Sequence, residues 1–345
     1  MAHLVSVIII NHNGIDFVDN CLQSVLNSNY PSFEIIFVDN GSSDSSLEFV
    51  KNNFGDNPRL RILENKASLG PAVGRNRGAA AASGKYFFFL DNDTQVNNNC
   101  IAELIKVMES DPSIGAGQAK LLQMDSDNLY DCAGDYLGPL GFLIERSQRV
   151  KDIGQFDSIA DILSAKSAAS IIRKDLFDKI GGFDESYYMY LEETDLSWRV
   201  WLAGYRVVFS PKSVVYHAYG TKKKLQEKYY SNYTVRYYGC RNYISTLIKN
   251  FGTLNLFKIL PLHIISWLLL SAMFLIKGRF KDFIWIIKAI FWNISHMGLL
   301  LKKRAQVQKV VRRAGDKQIM SKVMALRPLS YYLGKAVSYI YGRPY

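Results

Sequence analysis

A chain of 345 residues is long enough for one large domain or two ordinary ones, each with its own core. Its net charge of +11 is unevenly divided: residues 1–221 hold 19 Lys+Arg against 28 Asp+Glu, and residues 222–345 hold 23 against 3. The four cysteines, Cys21, Cys100, Cys132 and Cys240, are scattered without metal-ligand spacing, which argues against a disulfide framework and fits a reducing cytosolic compartment. Met1-Ala2-His3-Leu4 leads into a strand pattern with no basic or apolar signal segment, so the front part is expected not to be exported.

Val5-Ser6-Val7-Ile8-Ile9-Ile10-Asn11 reads as a buried strand, followed by a turn at His12-Asn13-Gly14. Apolar residues at 17, 18, 21, 22, 25 and 26 have helical spacing. Glu34-Ile35-Ile36-Phe37-Val38-Asp39 is a second strand, and the turn through Asn40-Gly41-Ser42-Ser43-Asp44 is expected to cap a helix over 45–53. A short strand at 61–63, an Ala-rich helix over 72–83 and the strand Tyr86-Phe87-Phe88-Phe89-Leu90 complete a β-α-β-α-β-α-β order. That order predicts a parallel, doubly wound sheet with helices on both faces.

A helix over 100–110 follows, and glycines and Pro139 make 115–156 read as loops and short strands. Further on, the pattern predicts a strand over 164–172, a short helix over 174–180 closed by Gly181-Gly182, a helix over 194–203, and strands at 206–209 and 214–216.

Asp91-Asn92-Asp93 stands at the carboxyl end of the Phe-rich strand, where open α/β sheets bind ligands. Two carboxylates one residue apart can share a hard divalent cation with substrate phosphates. Taken alone, the same three residues also suit an ordinary turn. Glu192-Glu193 at a helix start likewise has two readings, complementing the helix dipole or supplying a general base. Asp195 and Arg199, four apart, suit a stabilising pair.

The succession Asn11, Val38-Asp39-Asn40-Gly41-Ser42, Arg75-Asn76-Arg77-Gly78, Asp91-Asn92-Asp93, Gly181-Gly182-Phe183-Asp184-Glu185, Met189-Tyr190-Leu191-Glu192-Glu193-Thr194-Asp195-Leu196 and His217 resembles family 2 glycosyltransferases. Within that family it is most similar to the rhamnosyltransferase-like branch that builds surface polysaccharides. The resemblance covers about residues 4–245 and implies the GT-A fold, an α/β nucleotide-diphospho-sugar transferase architecture with a mainly parallel, Rossmann-like sheet. It implies an inverting, metal-dependent glycosyltransferase of the hexosyltransferase type, using a UDP- or dTDP-sugar, rhamnose among the candidates.

The resemblance also assigns residues. Asn11, Asp39, Arg75, Asp91, Asn92 and Asp93 would bind the donor, with Asp39 reading the imide of uracil or thymine. Asp91, Asp93 and His217 would hold Mn2+ or Mg2+. The family motif is usually Glu-Asp-X-Asp with the base at its second position; here that position is Glu193, with Glu192 as the alternative base. Asp184, Glu185 and Tyr190 would line the acceptor side, and Lys222-Lys223-Lys224 could close over the diphosphate.

Rival classes fit less well. A sugar nucleotidyltransferase needs a Gly-rich basic loop that Asn11-His12-Asn13-Gly14 does not supply, and no Gly-X-Gly-X-X-Gly marks a dehydrogenase. A processive synthase would be expected to carry a Gln-X-X-Arg-Trp motif. A non-catalytic, membrane-bound nucleotide-sugar binder or scaffold remains the alternative.

Residues 1–221 are expected to form the catalytic domain, and residues 222–345 a basic, aromatic helical region. Residues 259–276 form an uncharged run near the lower length limit for a span, and Pro261, His263, Ser266 and Ser271 weaken that reading. Lys281, Lys288, Ser295 and Lys302 recur every seventh position, which predicts one polar stripe along an amphipathic helix. Helices lying in the interface of an anionic membrane are expected, at the cytoplasmic face and peripheral, rather than contact with nucleic acid. A spanning hairpin or a contact between copies of the chain are the other readings of this region.

Overall fold

In the computed structural model, residues 2–124, 126–147, 150–218 and 233–341 are described. Lys222 to Lys224 and the expected domain boundary lie outside these residues. Two compact units are present: Met1–Asp135 with Glu145–Tyr219, and Tyr136–Ile144 with Gly220–Tyr345.

In the first unit, every residue of Val5–Asn11 (β1) is buried, as a continuous apolar run requires of a central strand. Beside it lie Phe33–Asp39 (β2), Leu60–Glu64 (β3) and Tyr86–Asp91 (β4), all parallel. The helices between them are Val18–Leu26 (α1), Ser46–Phe54 (α2) and Pro71–Ala81 (α3). The turn before α2 acts through Asp44, whose Oδ1 accepts from the Ser46 N–H at 3.1 Å. Beyond β4 come Thr94–Val96 (β5), the helix Cys100–Ser110 (α4), Ile114–Gln123 (β6) and Tyr130–Cys132 (β7). Asp135–Leu137 (β8) and Leu143–Glu145 (β9) form a small separate sheet whose residues 136–137 and 143–144 belong to the second unit. Ala160–Asp161 (β10), Ala169–Arg173 (β11), Lys174–Ile180 (α5), Glu192–Leu202 (α6) and Arg206–His217 (β12) complete the unit. The main sheet runs β10-β12-β6-β11-β4-β1-β2-β3, with β5 on β12 and β7 on β6.

The sheet is mainly parallel, as the resemblance implies, with β11 running antiparallel to both β4 and β6. Three expectations change here. The stretch read as loops and short strands contains β6, ten residues long and central to the sheet. Its glycines admit neighbours instead of breaking the chain: a Cβ on Gly115 would lie 2.5 Å from Leu176 Cδ2 and 2.7 Å from Tyr205 Cβ. The strand expected from 164 begins only at Ala169, since the Ala/Ser-rich residues before it turn, with the Ala169 N–H donating to Lys166 O at 3.1 Å. The two last strands are one, β12, interrupted by an irregularity between Ser210 and Val214 that accommodates Pro211.

The second unit is helical: Tyr233–Asn250 (α7), Thr253–Ile276 (α8), Phe280–Ser295 (α9), Met297–Gln306 (α10) with a wider turn over Val307–Val311, Asp316–Val323 (α11) and Leu329–Tyr341 (α12). Cys240, Ile244, Ile248, Trp267, Phe274, Ile286, Ala289 and Leu300 form its core. Asp282 pairs with Arg236 and Arg279, and Asp316 with Arg312. The single amphipathic helix expected across 281–302 is broken at His296, where the two segments bend by 64°. Side chains of Ser295 and His296 both engage the Trp292 carbonyl, at 3.0 and 2.9 Å, and so compete with the helix ladder. By length and composition α8 can cross a membrane, but only 28% of its most apolar window is buried. Leu254, Phe257, Leu262, Ile265 and Leu269 of α8 and Phe280, Ile284, Ile287, Phe291 and Ile294 of α9 are exposed. All four cysteines are free and buried.

Candidate active site

Parallel register puts the ends of three strands together, with Asn11 opposite Asp39 and Ile10 opposite Asp91. Asn11 is fully buried; its amide nitrogen donates to Asp39 Oδ1 and Ser46 Oγ, each at 2.9 Å, and its oxygen accepts from Asn92 Nδ2 at 2.6 Å. Asp39 is 2% exposed and also accepts from the Ser42 hydroxyl at 2.5 Å and the Ser42 N–H at 3.0 Å. These three expected donor residues thus form a hydrogen-bonded clamp across the carboxyl ends of β1, β2 and β4.

Helix α3 approaches the sheet through Gly74 and Gly78, where a methyl group would overlap Ile10 Cδ1 and Ile8 Cγ2 respectively. Arg75 is thereby buried, with Nη2 2.7 Å from Asp91 Oδ1 and Nη1 2.9 Å from Glu192 Oε1. The guanidinium thus forks between Asp91 and one of the paired glutamates.

Tyr188, Tyr190 and Leu191 all have positive φ, and they deliver the chain into α6. Such backbone is costly for non-glycine residues and concentrates at functional sites. The helix begins at Glu192, two residues before its expected start, so both glutamates lie in its first turn. Burial and then Glu193 push the Glu192 carboxyl up to about 7, against Arg75. Its Oε2 is buried with no hydrogen-bond partner among the described residues. The Glu193 side chain is 14% exposed, with Oε1 4.0 Å from Lys166 Nζ, and Lys166 in turn lies 2.9 Å from the fully buried Asp135. Asp195 pairs with Arg199 at 2.9 Å, as its spacing predicted.

Of the residues expected on the acceptor side, Asp184 caps the turn Glu185–Tyr187, its Oδ1 accepting from the Ser186 N–H at 3.1 Å. Glu185 accepts from Asn76 Nδ2 at 3.0 Å. Burial, followed by Glu192, pushes the Tyr190 hydroxyl up to about 12.

Antiparallel pairing of β12 with β5 sets His217 opposite Thr94, beside Asp93. His217 Nε2 lies 3.3 Å from Asp93 Oδ1. Burial opposes charge on this imidazole, but Asp93 and Asp131 outweigh it and hold its pKa well above the ordinary value. One ligand atom from each of Asp91, Asp93 and His217 falls within 4.8 Å of the other two. Two carboxylates and an imidazole at this separation fit a divalent cation of the Mn2+ kind. Asp131, Asp135 and Lys166 were not singled out by sequence reasoning, because their partners are distant in sequence and no local motif marks them.

The family pattern described as glycosyl transferase family 2 matches residues 6–180. Glycosyltransferase GlyG of Streptococcus pneumoniae serotype 4 is 28% identical over 187 residues, covering 52% of this chain and 60% of that protein. The poly-beta-1,6-N-acetyl-D-glucosamine synthase of Staphylococcus epidermidis is 26% identical over 212 residues, covering 61% and 48%. The chain thus spans roughly half to three-fifths of these curated relatives. Among solved structures, S. aureus TarS 1-349 in complex with UDP-GlcNAc has a TM-score of 0.57 at 17% identity, covering 99% of this chain and 93% of that one. Mannosyltransferase PcManGT from Pyrobaculum calidifontis, in complex with GDP-Man and Mn2+, has a TM-score of 0.53 at 16% identity, covering 99% and 88%. The fold is accordingly GT-A, and the chain belongs to glycosyl transferase family 2.

Proposed function

We propose that this protein moves a sugar from a UDP- or dTDP-linked donor to a hydroxyl of a glycan or polyprenyl-linked acceptor, with inversion at the anomeric carbon. The observation that carries this reading is the grouping of Asp91, Asp93 and His217, linked through Arg75 to the glutamate pair that opens α6. Kinship to a polysaccharide synthase supports a role in building surface polysaccharide. The UDP-GlcNAc complex of TarS supports a UDP-linked donor, while the GDP-Man and Mn2+ of the PcManGT complex support the wider class of nucleotide-diphospho-sugars and a divalent cation.

In this reading Asp91, Asp93 and His217 hold Mn2+ or Mg2+, which when bound would offset the charge of the departing diphosphate. Glu193 takes the acceptor's hydroxyl proton as that oxygen attacks the anomeric carbon. The nucleoside diphosphate leaves with the electron pair of the broken glycosyl–phosphate bond. Glu192, held by Arg75, orients the first turn of α6 and is the competing base, since a carboxyl near 7 suits proton transfer.

The second unit is the proposed attachment to the cytoplasmic face of the membrane. The exposed apolar residues of α8 and α9 support it, as do the basic residues among them, Lys258, Lys281 and Lys288. Catalysis would then occur close to a lipid-linked acceptor.

Two measurements test the function together. Calorimetric titration of UDP and dTDP with and without Mn2+ reads donor binding. Turnover across UDP- and dTDP-sugars, rhamnose included, against glycan and polyprenyl-diphosphate-linked acceptors reads transfer. Metal-dependent binding with no turnover on any pair would favour a non-catalytic nucleotide-sugar binder.

A further inference from the structure

We infer that Asp131 is a positioning residue for His217, selecting the ring nitrogen that faces the Asp91–Asp93 carboxylates. The inference rests on the metal-site reading proposed above. It starts from an irregularity in strand pairing. Between β6 and β7, Leu121 is opposite Cys132 and Leu122 is opposite Tyr130, so Asp131 is an extra residue with no partner in register. Such a bulge re-aims a side chain, and bulges are concentrated next to active sites. On the other edge of β6, His217 ends β12 opposite Gln123. The side chains of Asp131 and His217 therefore meet from strands on opposite edges of β6.

They meet at hydrogen-bond distance. His217 Nδ1 lies 2.9 Å from Asp131 Oδ2, while Nε2 lies 3.3 Å from Asp93 Oδ1. The His217 side chain is 9% exposed, and Asp131 and Asp93 are 20% and 23% exposed. An imidazole can offer a lone pair to a cation only from the nitrogen that carries no proton. By accepting a hydrogen bond from Nδ1–H, Asp131 leaves Nε2, on the Asp93 side, as the nitrogen that gives up its proton to ligate, and fixes the plane of the ring. A carboxylate behind a ligating histidine also raises the basicity of the ligand nitrogen.

The test is a double-mutant cycle on Mn2+ affinity in the full chain, read by electron paramagnetic resonance without any substrate. Asp131→Ala should weaken Mn2+ binding by about 10–100-fold, the usual effect of losing such an outer partner. Asp131→Asn keeps an acceptor for Nδ1–H and should lose less. In a His217→Gln background, Asp131→Ala should produce no further loss, because its effect is routed through the ring. A purely structural role would weaken binding equally in both backgrounds and would overturn the inference, as would unchanged affinity in Asp131→Ala. If His217→Gln itself leaves Mn2+ affinity unaltered, the metal-site reading fails and takes the inference with it. Unfolding midpoints of the single variants identify losses caused by misfolding, and Asp131→Asn then carries the comparison.

Discussion

Arg75 and Glu192, 117 positions apart, meet with Nη1 2.9 Å from Oε1, and their side chains are only 4% and 5% exposed. Removing one partner of such a pair leaves a buried charge. Arg75→Met should destabilise the protein by about 3–5 kcal/mol, the usual cost of breaking a buried pair. Arg75→Lys should recover only part of that, since an ammonium cannot fork onto Glu192 and Asp91 together. Urea denaturation of the two variants checks both statements, and equal stability of Arg75→Met and wild type would contradict them.

The same pair predicts a pH dependence. The Glu192 carboxyl sits at about 7 in the folded chain against an ordinary value of 4.5. A raised carboxyl pKa means that the folded state holds the proton more tightly than the unfolded state does. Its stabilising contribution is full below 4.5 and is lost as pH rises through 7. Glu192→Gln, which cannot ionise, should therefore show a shallower fall in stability over that interval. Parallel stability–pH curves for variant and wild type would count against the shift.

Asp93→Ala should abolish transfer and remove the Mn2+ dependence of nucleotide binding. Asp131 still pairs with His217 in this variant, so the chain should remain folded, which circular dichroism checks. Substantial metal-stimulated activity in this variant would refute the metal-site reading.

Glu193→Gln should retain donor binding and lose about 10²–10⁴-fold in turnover, the usual range for losing a general base. The decisive comparison is with Glu192→Gln. A collapse in that variant beside near-normal turnover in Glu193→Gln would move the base by one residue.

Sedimentation with anionic vesicles tests the proposed attachment. At low salt the full chain should pellet with vesicles, and rising salt should release an interfacial attachment while leaving a spanning one in place. Protein that stays in the supernatant at low salt would remove the membrane proposal.

The strand order up to Asp91 was legible because each buried strand is an unbroken apolar run closed by a polar turn. The carboxylates at these strand ends were legible for the same reason. What lay hidden depended on tertiary context. Gly134, Gly138, Gly141 and Pro139 make all of 115–156 read as broken, although they lie beyond the end of β6 at Gln123, so β6 was not foreseen. Asp131 acts through a histidine 86 positions away, a relation that only sheet pairing creates. Lys166 owes its contact with Asp135 to a turn in a stretch that alternates small residues, where periodicity carries little information.

The buried state of all four thiols has a practical consequence for spectroscopy. Burial pushes the Cys21 thiol up to about 12 and the other three upward as well. A thiol kept protonated and shielded reacts slowly with maleimides and nitroxide reagents. A single cysteine introduced on an exposed residue of α9, such as Phe291, could therefore be labelled selectively in the otherwise native chain. Its emission or spin relaxation would then report local polarity directly, with no need for a cysteine-free background.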